Sequence, residues 1–265
     1  ILSTVSDRDV VNLFYGFISS PENIPTQENG EEYPHKLQKA THFIGGIEYD
    51  LGINLDLSIE FYRKNFTQQT NINRNKSSNS DNDFIIETGY AQGLDMLLKY
   101  NNKVFDLWAV YSLGMVIRND GTTEYAPHFD RRHNVNLVAS YKFGKNNSWK
   151  TDLRWNLGSG FPFTQTQGFY ESLNFQDGLN TNYTSNNGDL GIKYAELNEG
   201  RLPYYHRLDI SVSKKIKVAK KSELDLSLSI TNVYNRENIF YFNRIKYERV
   251  NQLPIMPSIG ASITF

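Results

Sequence analysis

The segment HFDRRH places His128, Asp130 and His133 close together, and two imidazoles with a carboxylate between them are donor types that can hold zinc. A polar loop at the rim of a folded wall accounts for the same residues, and no metal site is expected there. Asp152 lies two residues from Arg154, and Asp209 two residues from Arg207. Outer-membrane hydrolases carry acidic residues and histidines in their walls, but these acids sit beside opposite charges along or across strands. They read as salt bridges rather than as an acid–base pair, so no catalytic residue is assigned. His206, just before Arg207, reads as a rim hydrogen-bonding group. The glycines of GSGF and NNGDLG lack the strand and helix context of a phosphate loop. Asn182, Tyr183 and Thr184 match a glycosylation acceptor pattern only by composition. With no cysteine, thiolate chemistry is absent.

Binding chemistry is better supported than catalysis. Residues 159–204 carry Phe161, Phe163, Gln165, Phe169, Tyr170 and Tyr183 among amides and hydroxyls. Aromatic rings mixed with amides bind sugars, amphipathic chelates and peptides, and these six are the candidate ligand residues. Packing of the segment against itself would use the same rings.

The elements that must position this segment show period 2. Phe43, Gly45, Ile47, Tyr49 and Leu51 alternate with polar partners, and Leu55, Leu57, Ile59 and Phe61 return after a turn near residue 52. A second hairpin joins Leu94–Tyr100 to Phe105–Leu113 around residue 102. A third joins Val135–Phe143 to Trp149–Leu157 around residue 146. The fourth joins Leu208–Val212 to Leu224–Ile230 around residue 220. A last run ends on Ile259, Ala261, Ile263 and Phe265, and a partial strand is expected over Asp9–Gly16. Between hairpins lie polar segments near 67–83, 118–132, 159–204 and 236–253. About ten strands result, each near the ~9–11 residues a tilted strand needs to cross a bilayer.

Aromatics make up 14% of residues, yet mean hydropathy is -0.54. No apolar run approaches the ~18 residues of a membrane helix, whereas a barrel wall averages apolar outside against polar inside. Net charge is -1 with charges dispersed, which excludes a nucleic-acid-binding face. Short turns on one side and long loops on the other are the pattern of an outer-membrane barrel whose short side is periplasmic. Tyr49, Tyr100, Phe105, Phe143, Trp149 and Phe265 fall beside the short turns as an aromatic girdle. Lys150, Asp152, Arg154, Arg207, Asp209, Glu223 and Asp225 must then face the lumen, because a midplane Lys or Arg in lipid costs roughly 2–4 kcal/mol. The fold class is all-β, a transmembrane antiparallel β-barrel.

The pieces GYAQGLDMLLKYNNKVFDLWAVYSLG, APHFDRRHNVNLVASYKF, WNLGSGFPFTQTQGFY, RLPYYHRLDISVSKKI, LSITNVYNRENIFYF and LPIMPSIGASITF together resemble the C-terminal barrel region of TonB-dependent receptors of Bacteroidota. They span most of residues 84–265. The resemblance implies that residues 1–265 are the C-terminal part of a 22-stranded barrel, with the plug domain, TonB box and N-terminal strands outside this sequence. It implies import of a scarce solute, such as a siderophore, glycan or peptide, using energy delivered by TonB and its inner-membrane complex, with no cofactor. Ile259, Ile263 and Phe265 resemble the terminal signal read by the barrel-assembly machinery. Outer-membrane lipid and a surface lipoprotein are the further partners. Rival functions are an interaction scaffold serving such a lipoprotein and a free-standing small barrel adhesin.

Overall fold

A computed structural model describes residues 2–3, 38–52, 54–76, 80–172, 189–219 and 222–264. No helix among them is long and apolar enough to cross a membrane. The wall strands are β1 (Leu2–Ser3), β2 (Lys39–Asp50), β3 (Leu55–Ile72), β4 (Phe84–Asn101) and β5 (Phe105–Asn119), with the short β6 (Glu124–Tyr125) on β5. They continue as β7 (His133–Phe143), β8 (Trp149–Gly158), β13 (Tyr205–Lys217), β14 (Glu223–Thr231) and β17 (Met256–Thr264). Between β8 and β13 come β9 (Pro162–Phe163), β10 (Thr166–Ser172), β11 (Asp189–Tyr194) and β12 (Gly200–Arg201). Between β14 and β17 come β15 (Ile239–Asn243) and β16 (Glu248–Asn251). The wall order is β1-β2-β3-β4-β5-β7-β8-β13-β14-β17, and each neighbouring pair is antiparallel.

Register turns the alternation of each strand into two continuous faces. Ser140, Asp152, Ser211, Ser229 and Ser258 stand in one cross-strand row, and Ala139, Leu153, Ile210, Ile230 and Pro257 in the next row on the other face. Every lumen residue expected from the sequence lies on the polar face: Lys150, Asp152, Arg154, Arg207, Asp209, Glu223 and Asp225. The apolar face is uncovered, with Ile259 86% and Ile47 72% exposed, as lipid contact requires. The described strands form an arc rather than a closed barrel, and in lipid the free edge of β17 requires a strand partner. On β17, Ile259 and Ile263 point to the apolar face. Phe265 lies outside the described residues.

The charge pairs differ in detail from expectation. Asp152 bonds Lys150 at 2.6 Å and Ser140 rather than Arg154, while Asp209 does pair with Arg207 at 2.9 Å. Lys215 and Lys217 stand opposite Asp225 and Glu223, adding cations to the polar face. On the same face the ring of Tyr62 lies across β4 and β5. A Cβ at Gly93 would come within 2.5 Å of its hydroxyl, and one at Gly114 within 3.3 Å. Both positions suit glycine because the ring occupies the space.

The short turns near 52, 102 and 146 fall where expected, and residue 220 of the fourth lies outside the described residues. Gly52 and Asn54 have φ of 70° and 63°, and Gly144, Asn146 and Asn147 have 80°, 57° and 52°. Gly and Asn tolerate this left-handed region best, so the tight connections fall where these residues occur. Tyr100 and Phe105 meet at 6.0 Å and Phe143 and Trp149 at 6.1 Å beside the turns. The Lys214 ammonium sits 4.7 Å over the Trp149 ring, reaching from the apolar face toward the interface.

The strands reach further on the long-loop side than the sequence suggests. Residues 67–72, read as loop, belong to β3, and β5 continues to Asn119. Both β3 and β4 run 18 residues, well beyond a membrane crossing. The surplus is held by a buried acid. Glu87 is fully buried and accepts from Arg74 at 2.8 Å, Asn71 at 3.0 Å and Tyr125 at 2.8 Å. The partial strand expected at Asp9–Gly16 lies outside the described residues. Sidedness is testable because the chain has no cysteine. Ile245→Cys should react with an impermeant maleimide on intact cells while Asn146→Cys stays silent until the cells are opened. The opposite pattern would invert the wall.

Candidate functional site

Three long connections meet above the wall and form one layer. Asp130, fully buried in the β5–β7 connection, accepts from Val116 N–H at 2.7 Å, Arg132 at 3.0 Å and Arg201 at 2.6 Å. Arg201 belongs to β12, so one carboxylate ties two connections together. Arg131 lies 4.1 Å over the Phe161 ring and packs on Gly158, where a Cβ would fall within 2.5 Å of its guanidinium. Burial pulls the Arg131 pKa down, partly offset by Tyr205. His128 stacks edge-on against Phe129, and His133 bonds the Tyr111 hydroxyl at 3.0 Å. HFDRRH is therefore a structural clasp, and no metal-holding cluster occurs among the described residues. Nearby, burial alone would raise the Asp120 pKa. Hydrogen bonds from Thr122 and Thr123 and the Arg74 charge hold it below the usual carboxylate range.

The other two connections interlock by a second clasp. Arg244, in the turn between β15 and β16, donates to Thr166 Oγ1 and to the Thr164 carbonyl, each at 2.7 Å, and lies 5.1 Å from the Tyr194 ring. Phe163 meets Phe242 at 5.8 Å, and Phe169 meets Tyr247 at 5.7 Å, edge to face. The β14–β17 connection is anchored at its root by asparagines. Asn232, fully buried with φ 55°, accepts from Arg236 N–H and donates to the Arg236 and Leu253 carbonyls. Asn238 brackets the backbone of His206 from both sides, and the His206 ring bonds the Tyr234 hydroxyl at 2.8 Å.

The candidate ligand residues separate by environment. Phe161 is engaged by Arg131, and Phe163 and Phe169 by aromatic partners across the clasp. Gln165 and Tyr170 are exposed, with the Tyr170 ring lying over Gly191. Tyr183 lies outside the described residues. No ligand role is expected from sequence for the β15–β16 hairpin, yet it presents Phe240, Tyr241, Ile245 and Tyr247, the last 81% exposed. The signal was there in IFYFNRIKY, whose aromatic density exceeds that of residues 159–170. The Tyr194 ring lies by Arg244, and Phe242 stands across the hairpin from Arg249, whose guanidinium pairs with Glu237, so the layer sets exposed rings beside guanidinium groups.

No protein-family profile matches the chain, and no curated protein matches its sequence. Solved structures do match by shape. A ferric citrate transporter in its unliganded form aligns with a TM-score of 0.59 at 15% identity, over 89% of this chain and 32% of that one. The ferric-catecholate import receptor of E. coli K12 gives 0.57 at 13%, over 85% and 27%. The ferripyoverdine receptor of the Pseudomonas aeruginosa outer membrane, bound to ferripyoverdine, gives 0.55 at 12%, over 86% and 28%. The fold is that of an outer-membrane receptor barrel. The chain spans 27–32% of the length of these proteins. All three are transporters or receptors rather than enzymes.

Proposed function

We propose that this chain forms part of the wall and ligand-capturing layer of an outer-membrane importer driven by TonB. The observation that carries the reading is the interlocked layer of exposed rings and arginines standing over a charged lumen face. The solved structures of this shape handle ferric chelates, and rings beside guanidinium groups suit an anionic, ring-bearing chelate. The remaining parts proposed are a plug domain, further strands that close the barrel, TonB with its inner-membrane complex, and the barrel-assembly machinery reading Ile259, Ile263 and Phe265. Residues 1–265 are proposed as the C-terminal barrel part of such a receptor, of Bacteroidota type.

Uptake of radiolabelled ferric chelates by cells expressing the protein tests transport. Uptake should stop when the proton-motive force is collapsed, and uptake persisting at full rate would refute an energised importer. Capture is tested by joining Tyr170→Ala with Tyr247→Ala. An aromatic anchor at a binding surface contributes about 2 kcal/mol, so affinity should fall by roughly thirtyfold at normal barrel abundance. Unchanged affinity would leave these rings without a role in capture.

A further inference from the structure

The apolar face carries a feature that solute transport does not use. Gly45, Phe61, Leu94 and Leu113 align in one cross-strand row of that face, and Phe43, Arg63, Gln92 and Met115 in the row above. These rows border a groove of about 830 Å³. Gly45 opens it, since a Cβ there would meet nothing within 4 Å. Arg63 stands at its upper end, beyond Leu57, Ile59 and Phe61 on β3 and therefore toward the long loops. Its guanidinium lies 3.8 Å over the Tyr90 ring, donates through Nε to Asn65 at 2.9 Å, and donates through Nη1 to Gln92. Among the described residues no carboxylate lies within 4.0 Å of it.

A groove on a lipid-facing wall is filled by acyl chains. Two arginines border it, and because Arg132 is held by Asp130, Arg63 is the cation that decides which lipid supplies them. A guanidinium held in one orientation by a ring and two amides, and left without an acidic partner, matches a phosphate in geometry and charge. On the loop side of an outer membrane, the lipid that joins phosphates to several acyl chains is the phosphorylated glycolipid of the outer leaflet. We propose that this groove binds that glycolipid, with acyl chains along Phe61, Leu94 and Leu113 and a phosphate on Arg63. The inference rests on the outer-membrane reading above.

The test uses protein extracted from outer membranes in mild detergent, stripped of lipid and titrated by native mass spectrometry. The probes are diphosphorylated hexa-acyl lipid A, the same lipid after phosphatase treatment, and phosphatidylglycerol. Wild type should prefer the diphosphorylated lipid. Arg63→Gln should weaken that binding about tenfold, in line with loss of a charge-assisted contact. Gly45→Leu, which fills the groove and leaves Arg63 in place, should weaken it as well, with both variants remaining heat-modifiable barrels. Equal binding by Arg63→Gln, or equal binding of phosphatase-treated lipid or phosphatidylglycerol, would overturn the proposal. Intact energised uptake without lipid A preference would sink this inference alone, whereas absence of the wild type from the outer membrane would sink both.

Discussion

Replacing Asp130 with Ala is expected to release the β5–β7 connection from β12 and to destabilise the loop layer by about 3 kcal/mol. Removing one partner of a buried ion pair typically costs 3–5 kcal/mol, and the lower end applies because Arg132 and Arg201 keep about a third of their exposure to water. The loss is compounded because Val116 N–H also loses its acceptor. Asp130→Asn, which keeps an acceptor for that amide but removes the charge, should fall between wild type and Ala. Hydrogen exchange is the direct measurement. Amides of residues 119–132 and 195–204 should exchange faster in the Ala variant, while those of β7 and β8 stay protected. Unchanged exchange in both loops would show that the carboxylate is not what holds them together.

The second large effect concerns the wall. Leu153 and Arg154 are adjacent on β8 but point to opposite faces, Leu153 in the row of Ala139 and Ile210, and Arg154 in the row of Val138 and Asp209. Leu153→Arg would place a guanidinium in lipid near the middle of the strand, at a cost of roughly 2–4 kcal/mol, whereas Arg154→Leu removes a charge from a wet surface. Outer-membrane abundance and heat-modifiability should therefore collapse for the first variant and hold for the second. Comparable loss in both would mean that the two faces are not lipid and lumen.

The wall was legible because each strand touches two solvents, and the choice at every second residue records which one. Ser211, Val212 and Ser213 show this by themselves. Strand ends were harder to place. In TQQTNI both faces meet water or polar neighbours, so no alternation marks Thr67–Ile72 as strand, and the length of β3 depends on Glu87 and Tyr125 from distant parts of the chain. The clasps were hidden for a related reason. The charges of HFDRRH are plain in the sequence, but the partner that makes Asp130 structural is Arg201, 71 residues away. Aromatic residues pose the same difficulty in the loops, because composition cannot separate a ring packed under a guanidinium, as Phe161 is, from one left open, as Tyr247 is.

The tyrosine lying across two glycines bears on the diameter to which the wall can close. If β4 slid by two residues against β3, Tyr62 would face Ala91 or Asp95 in place of Gly93, and the ring would meet a side chain where it now meets none. Gly114 extends the same demand to β5. In a closed barrel the diameter follows jointly from the number of strands and the stagger between them. A residue that resists slippage on three consecutive strands thus acts as a gauge block: it holds the stagger between them and, through it, the diameter to which such a wall can close.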